Sequence, residues 1–269
     1  MENTNATGVE EMPVVWERRK WLPFLRGFKK AGGLAVTVAV ILGVWQLASM
    51  MSNNATLLPG PAVVGKTLAD LFHKGLLIEH TAASLGRILT AWILSAIIAV
   101  PLGVLMGRVA WLEKLIRPFI EIIRPISPLA WIPLAILWFG IGLSGKLFVI
   151  MIASIFPILL NTISGVQEVN PTLLRAAKSF GCSPLQMTFK VCIPAALPTI
   201  ATGLRISFGS AWMAIIAAEM VASKSGLGYM IIDGMEILRS DIVIAGMVVI
   251  GVLGYLFDIM FRMVERKMM

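Results

Sequence analysis

The stretch NPTLLRAAKSFGCSPLQMTFKVCIPAALP, Asn170 to Pro198, is a polar, punctuated insert in a chain that is otherwise mostly apolar. Each half carries its own start and stop signals. Asn170 is placed to cap a helix that has Pro171 at its first position, where a missing N–H costs nothing. Gly181 supplies the left-handed residue that ends that helix. Ser183, Pro184 and, three residues after the cap, Gln186 have the form of a capping box opening a second helix, which Pro194 is expected to stop at the latest. The predicted unit is helix, turn, helix, and its contrast with the surrounding sequence marks it as a working surface.

Around this insert the chain reads as membrane sequence. Of its 269 residues 58% are hydrophobic and 14% charged, and the mean hydropathy is +0.86, beyond what a soluble globular domain carries. An all-α polytopic protein with about six spans follows: Gly33–Met51, Ser84–Met106, Phe119–Ile141, Leu147–Ile163, Thr199–Val221 and Ile242–Phe261. The third is expected to be short or broken, because Pro125, Pro128 and Pro133 interrupt it. Ala62 to Lys74 reads as a surface helix after the turn LLPGP, and Gly142 to Lys146 as the outer turn. The long basic flank and the missing A-x-A site argue against a signal peptide.

Basic residues set the expected topology. Arg18, Arg19, Lys20, Arg26, Lys29 and Lys30 precede the first span, Arg108, Lys114 and Arg117 follow the second, Arg175, Lys178 and Lys190 lie in the insert, and Arg262, Arg266 and Lys267 close the chain. Both termini and the insert are therefore expected in the cytoplasm. Arg87, near the outer end of the second span, is expected to snorkel. The net charge of +8 is accounted for by topology and anionic lipid, not by nucleic acid. Trp16, Trp21, Phe24 and Phe28 alternate with cations over Pro13 to Lys30, an interfacial pattern or a plain topogenic flank.

Catalytic signatures are missing from the sequence. It has no phosphate-loop motif, and Cys182 and Cys192 lack the spacing and histidine partners of a metal site. His73 and His80 fall on the expected outer segment, away from any acid cluster. In the fifth span Arg205, Gly209, Trp212, Ile216 and Glu219 are spaced four, three, four and three apart, hence on one helical face. Gly203, Ser207, Ser210 and Ala211 offer small surfaces for close packing. Trp212, Glu219 and Ser210 are therefore candidates for a substrate path, with Pro128 and Trp131 of the proline-broken segment Arg124–Ala135, and with Asn161. The competing reading makes Glu219 and Arg205 tethers and the prolines packing kinks. A stand-alone secondary transporter or channel would need inverted repeats and intramembrane ionic pairs, of which the sequence offers few.

The insert resembles the EAA loop of the membrane subunits of ATP-binding cassette importers. Ala176, Ala177, Gly181, Val191 and Pro194 fall at the pattern's positions, with Ile193 in place of its Leu and Arg175 in place of its leading Glu. Further segments, in order, are similar to the permeases of the nitrate, sulfonate, taurine and bicarbonate import group: LPGP (Leu58–Pro61), SLGRILTAW (Ser84–Trp92), RPISPLAW (Arg124–Trp131), IPLAILWFGIG (Ile132–Gly142), FPILLNTISGV (Phe156–Val166), GLRISFGSAW (Gly203–Trp212) and AEMVASKSGLGYMI (Ala218–Ile231).

The resemblance implies a type I importer permease in the bacterial inner membrane. It implies a homodimer with two cytoplasmic ATPase subunits, fed by an extracytoplasmic binding protein that delivers a small anion. ATP and Mg would be bound by the ATPases, and no cofactor by this chain. On this reading residues 170–198 dock the ATPase through Arg175, Ala176, Ala177, Gly181, Ser183, Pro184, Val191 and Pro194. Residues 1–32 form a cytoplasmic tail, 33–261 the permease domain and 262–269 a second tail. RPISPLAW leans to the nitrate and bicarbonate branch and ILWFGIG equally to the sulfonate branch, which leaves the anion open.

Overall fold

Residues 23–52 and 57–268 are described by the computed structural model, with side chains over 36–52 and 57–266. The aromatic and basic segment at Pro13–Lys30 lies outside the described side chains. The described chain is helical: α1 (Pro23–Ser52), α2 (Pro61–His73), α3 (Leu76–Arg108), α4 (Ala110–Ile123), a 3-10 turn (Pro128–Trp131), α5 (Ile132–Phe139) and α6 (Leu143–Gln167). After these come α7 (Pro171–Ser179), α8 (Pro184–Met187), a π turn (Thr188–Cys192), α9 (Ile193–Ala222), α10 (Leu227–Glu236) and α11 (Ser240–Met268). The expected surface helix at Ala62–Lys74 is α2.

Among the described residues four stretches are long and apolar enough to cross a membrane: Leu76–Arg108, Leu143–Gln167, Pro184–Ala222 and Ser240–Arg266. A fifth would be α4 together with Pro128–Phe139, bent by 87°. The expected third span, Phe119–Ile141, is broken as its prolines predict, because Pro125 and Pro128 remove the N–H groups that would have carried α4 onward. The first expected span, Gly33–Met51, falls within the 30-residue helix α1, whose described side chains from Val36 to Ser52 are apolar.

The core is a slab of α3, α6 and α9 whose backbones approach through glycines. A Cβ on Gly103 would lie 2.7 Å from Thr162 Cβ, and one on Gly107 2.8 Å from Val166 Cβ, so two residues four apart on α3 receive two residues four apart on α6. The other face of α6 meets α9 in the same way: a Cβ on Gly165 would lie 2.9 Å from Thr199 Cβ, and one on Gly203 2.6 Å from Asn161 Cβ. Small residues are what helices without a hydrophobic driving force use to gain dispersion contact. Gly103→Ala is expected to destabilise the detergent-purified protein by about 1–3 kcal/mol through overpacking. Gly86→Ala, where no atom lies within 4 Å of the new Cβ, serves as the control and should leave the unfolding midpoint unchanged or raise it.

Beside the slab, α11 closes on α9 through aromatic rings. Phe208 lies 5.0 Å from both Phe257 and Phe261, and Trp212 5.7 Å from Phe257. Trp92 of α3 joins them edge-on to Phe208, and its indole donates to Ser207 Oγ at 2.8 Å. The LPGP turn is tied to α1 by Trp45 Nε1 donating to the Pro59 carbonyl (3.1 Å) and Ser49 Oγ to that of Leu58 (2.8 Å).

Candidate functional site

The insert forms as its local signals dictate. Asn170 Oδ1 accepts from Thr172 N–H at 2.8 Å, and Gly181 stands at φ +76° where α7 ends. Ser183 and Gln186 exchange both bonds of a capping box, at 3.0 and 3.3 Å. Arg175, Ala176, Gly181, Ser183, Pro184 and Pro194 are exposed, whereas Ala177 is buried and Val191 half-buried. Phe180, which sequence reasoning passed over, is 87% exposed.

One expectation fails here. Pro194 does not stop the second helix: α8, the π turn and α9 run as one stretch from Pro184 to Ala222. The π turn over Thr188–Cys192 widens the ladder just ahead of the proline ring, the local adjustment by which such helices absorb a missing N–H. The insert is thus joined to α9 without a loop.

At the opposite end of the bundle lies an ionic knot. Glu219, 1% exposed, has Ser84 Oγ at 2.8 and 2.9 Å from its two oxygens, Arg87 Nη1 at 2.5 Å and the Gly228 N–H at 3.1 Å. Arg87 also donates to the carbonyl and hydroxyl of Ser225 (2.7 and 2.5 Å), and Lys146 to Ser223 Oγ (2.9 Å). His80 Nδ1 accepts the Gly226 N–H at 3.2 Å, and Ser84 Oγ that of Leu227 at 2.9 Å. Gly226 (φ +116°) and Gly228 leave room for the carboxylate, since a Cβ on either would strike Glu219.

Several expectations change accordingly. Arg87 turns inward to Glu219 and does not snorkel, Lys146 belongs to the first turn of α6 and is buried, and His80 accepts the Gly226 N–H next to the knot. The chain buries more charge than its sequence suggested. A second cluster joins α9 to α11, with Arg205 on Asp258 and Glu265, both at 2.9 Å, and Thr202 on Glu265. Just ahead of the last span, Arg239 donates to Asp241 at 2.5 Å, and this contact raises the pKa of the Arg239 guanidinium above its ordinary value.

The candidate path residues divide into two groups. Asn161, Ser210 and Pro128 line one cavity of about 360 Å³ together with Arg124, Pro157 and Ile206. Trp131 sits three residues beyond Pro128, its indole N–H buried without a hydrogen-bond partner. Trp212 and Glu219 lie elsewhere: Trp212 is 5% exposed against α11, on a cavity of about 60 Å³, and Glu219 is held in the knot. Helical spacing put these two on one face with Arg205, but it could not say which neighbour that face meets.

A bundle of spanning helices with a cavity beside a broken segment, carrying an exposed helix–turn–helix fused to one span, is a membrane permease subunit by class. Residues 99–269 match the family described as the binding-protein-dependent transport system inner membrane component, and the chain belongs to that family. It is 37% identical over 238 residues to the taurine transport system permease protein TauC of Escherichia coli K12, covering 86% of each chain. With the bicarbonate transport system permease protein CmpB of Synechococcus elongatus it shares 37% over 246 residues, 86% of this chain and 87% of that one. A solved structure of the MetNI methionine ABC transporter has the same fold, at a TM-score of 0.65 and 20% identity over 73% of this chain and 98% of its own. The chain is therefore a multi-pass, non-catalytic inner-membrane permease component of an ABC importer, and ATP is bound by a partner ATPase.

Proposed function

We propose that two copies of this chain form the translocation path for a small oxyanion of the taurine, sulfonate or bicarbonate type, handed over by a binding protein. The insert at 170–198 docks in a groove of the ATPase through Arg175, Ala176, Gly181, Ser183, Pro184 and the exposed Phe180, with Ala177 and Val191 supporting it from within. The observation that carries this reading is the unbroken run from the insert through Pro194 into α9, whose Ile206 and Ser210 line the cavity. A shift of the docked insert reaches the path directly, so nucleotide-driven bias enters where inward and outward states differ.

The cavity, with Asn161, Ser210, Pro128 and the neighbouring Trp131, is the path, while Trp212 and Glu219 brace the helices that form it. Exposed apolar residues on the helices around it, among them Ile122 (70%), Leu137 (78%) and Met213 (74%), are available for a second copy to cover. The end bearing the insert lies in the cytoplasm, with both termini, as the weight of basic residues favours. The domain limits 1–32, 33–261 and 262–269 follow the same topology.

The test is uptake into liposomes holding the permease with its ATPase, supplied with the binding protein and labelled taurine or bicarbonate. ATP-dependent uptake of either supports the reading. Uptake by the permease alone, without ATP, would establish an ATP-independent secondary transporter in its place.

A further inference from the structure

We infer that Arg124 is the anion-selecting charge of the path, binding a sulfonate or carbonate oxyanion through its guanidinium; this rests on the importer reading above. Arg124 stands in the break between α4 and the 3-10 turn, where the chain bends by 87°. It lines the cavity together with Ile152 and Pro157 from the middle third of α6 and Ile206 and Ser210 from the middle third of α9. It therefore sits at mid-bundle depth, not at a membrane surface. A charge at that depth is costly and marks a functional position by default.

Three observations narrow its role. Among the described residues every other cation placed inside the bundle has a partner: Arg87 holds Glu219, Arg205 holds Asp258 and Glu265, and Lys146 holds Ser223. Arg124 is exposed to the cavity and makes no such pair. The cavity lining contains no Asp or Glu, so the local field has one sign.

The remaining polar groups suit an oxyanion. Ser210 presents a hydroxyl, and Asn161, which donates one amide hydrogen to the Pro157 carbonyl at 2.8 Å, keeps a second to give. A planar guanidinium matches two oxygens of such an anion in parallel. A volume of about 360 Å³ is within the range of small-molecule sites. A cation at the end of α4 would also favour that helix's carbonyls, a purely structural role that the experiment must separate.

The test uses the permease–ATPase complex in liposomes with its binding protein, and labelled taurine and bicarbonate as probes. Arg124→Gln is expected to lower uptake about ten- to hundredfold, with assembly with the ATPase and the unfolding midpoint unchanged. Arg124→Lys should keep a measurable part of the uptake. In Arg124→Cys, a positively charged aminoethyl thiol reagent should restore uptake and a negatively charged sulfonatoethyl reagent should not, with wild type treated alike to account for Cys182. If Arg124→Gln transports as wild type does, or both reagents act equally, Arg124 is not the anion ligand although the importer reading survives. If Arg124→Gln instead fails to assemble and the positive reagent restores nothing, its role is structural and the inference falls. If wild type imports neither probe although ATP is hydrolysed, the anion reading itself falls.

Discussion

Glu219→Ala is expected to lower the unfolding free energy by about 3–5 kcal/mol, the cost of stranding one member of a buried ion pair. Removing the carboxylate leaves the Arg87 guanidinium, 2.5 Å away and largely buried, with no counter-charge. It also strands the Gly228 N–H and the Ser84 hydroxyl as donors. Glu219→Gln keeps the shape and some hydrogen bonds and should fall between wild type and alanine. The double replacement Arg87→Met with Glu219→Leu removes both charges together and should recover much of the loss, because an intact buried pair contributes little net stability. Thermal unfolding followed by tryptophan fluorescence in detergent reads all four proteins. A Glu219→Ala protein that melts with wild type would mean that water reaches this carboxylate and that the knot does not brace the bundle.

Gly181→Pro is expected to abolish ATPase association and lower ATP-driven uptake more than tenfold, while the midpoint of the membrane bundle stays put. The native φ of +76° is closed to proline, whose ring fixes φ near −65°. The Gly181 N–H that donates to the Lys178 carbonyl at 3.0 Å is lost as well. The turn between α7 and α8 then cannot form, and Phe180 and the Ser183 cap leave their positions. Gly181→Asn, which tolerates the left-handed region, should retain most association. Co-purification with the ATPase in mild detergent is the measurement. Full association of the proline variant would show that the docking surface lies outside 170–198.

What could be read from the sequence follows the range over which each signal acts. The caps at Asn170 and Ser183 and the left-handed Gly181 depend on neighbours within four residues, and each forms as expected. The span positions also come through, because twenty apolar residues in a row admit few alternatives. The partner of Glu219 was out of reach: Arg87 is 132 residues away, and helical spacing gives a residue's face but not what that face meets. Pro194 misled for a different reason. A proline ends a helix in water, whereas here a π turn absorbs the missing N–H and the helix continues. Gly103 and Gly107 were legible as a four-residue spacing of small residues, a recognised packing signal in spans, but α3 was read for its length alone. Arg124 was noted only as the start of a proline-rich segment, since nothing local shows that its charge lacks a counterpart.

The two-sided glycine contact of α6 also limits how this chain can change length. Each residue along a helix turns it by about 100°, so inserting or deleting one residue between Asn161 and Val166 would swing Thr162 and Val166 off Gly103 and Gly107. The same rotation would carry Asn161 and Gly165 away from Gly203 and Thr199. Compensation on one side cannot repair the other, because α3 and α9 grip different faces. Length differences among relatives should therefore collect before Leu143 or after Gln167, and a single-residue insertion between these positions should block expression even where a bulky point substitution is tolerated.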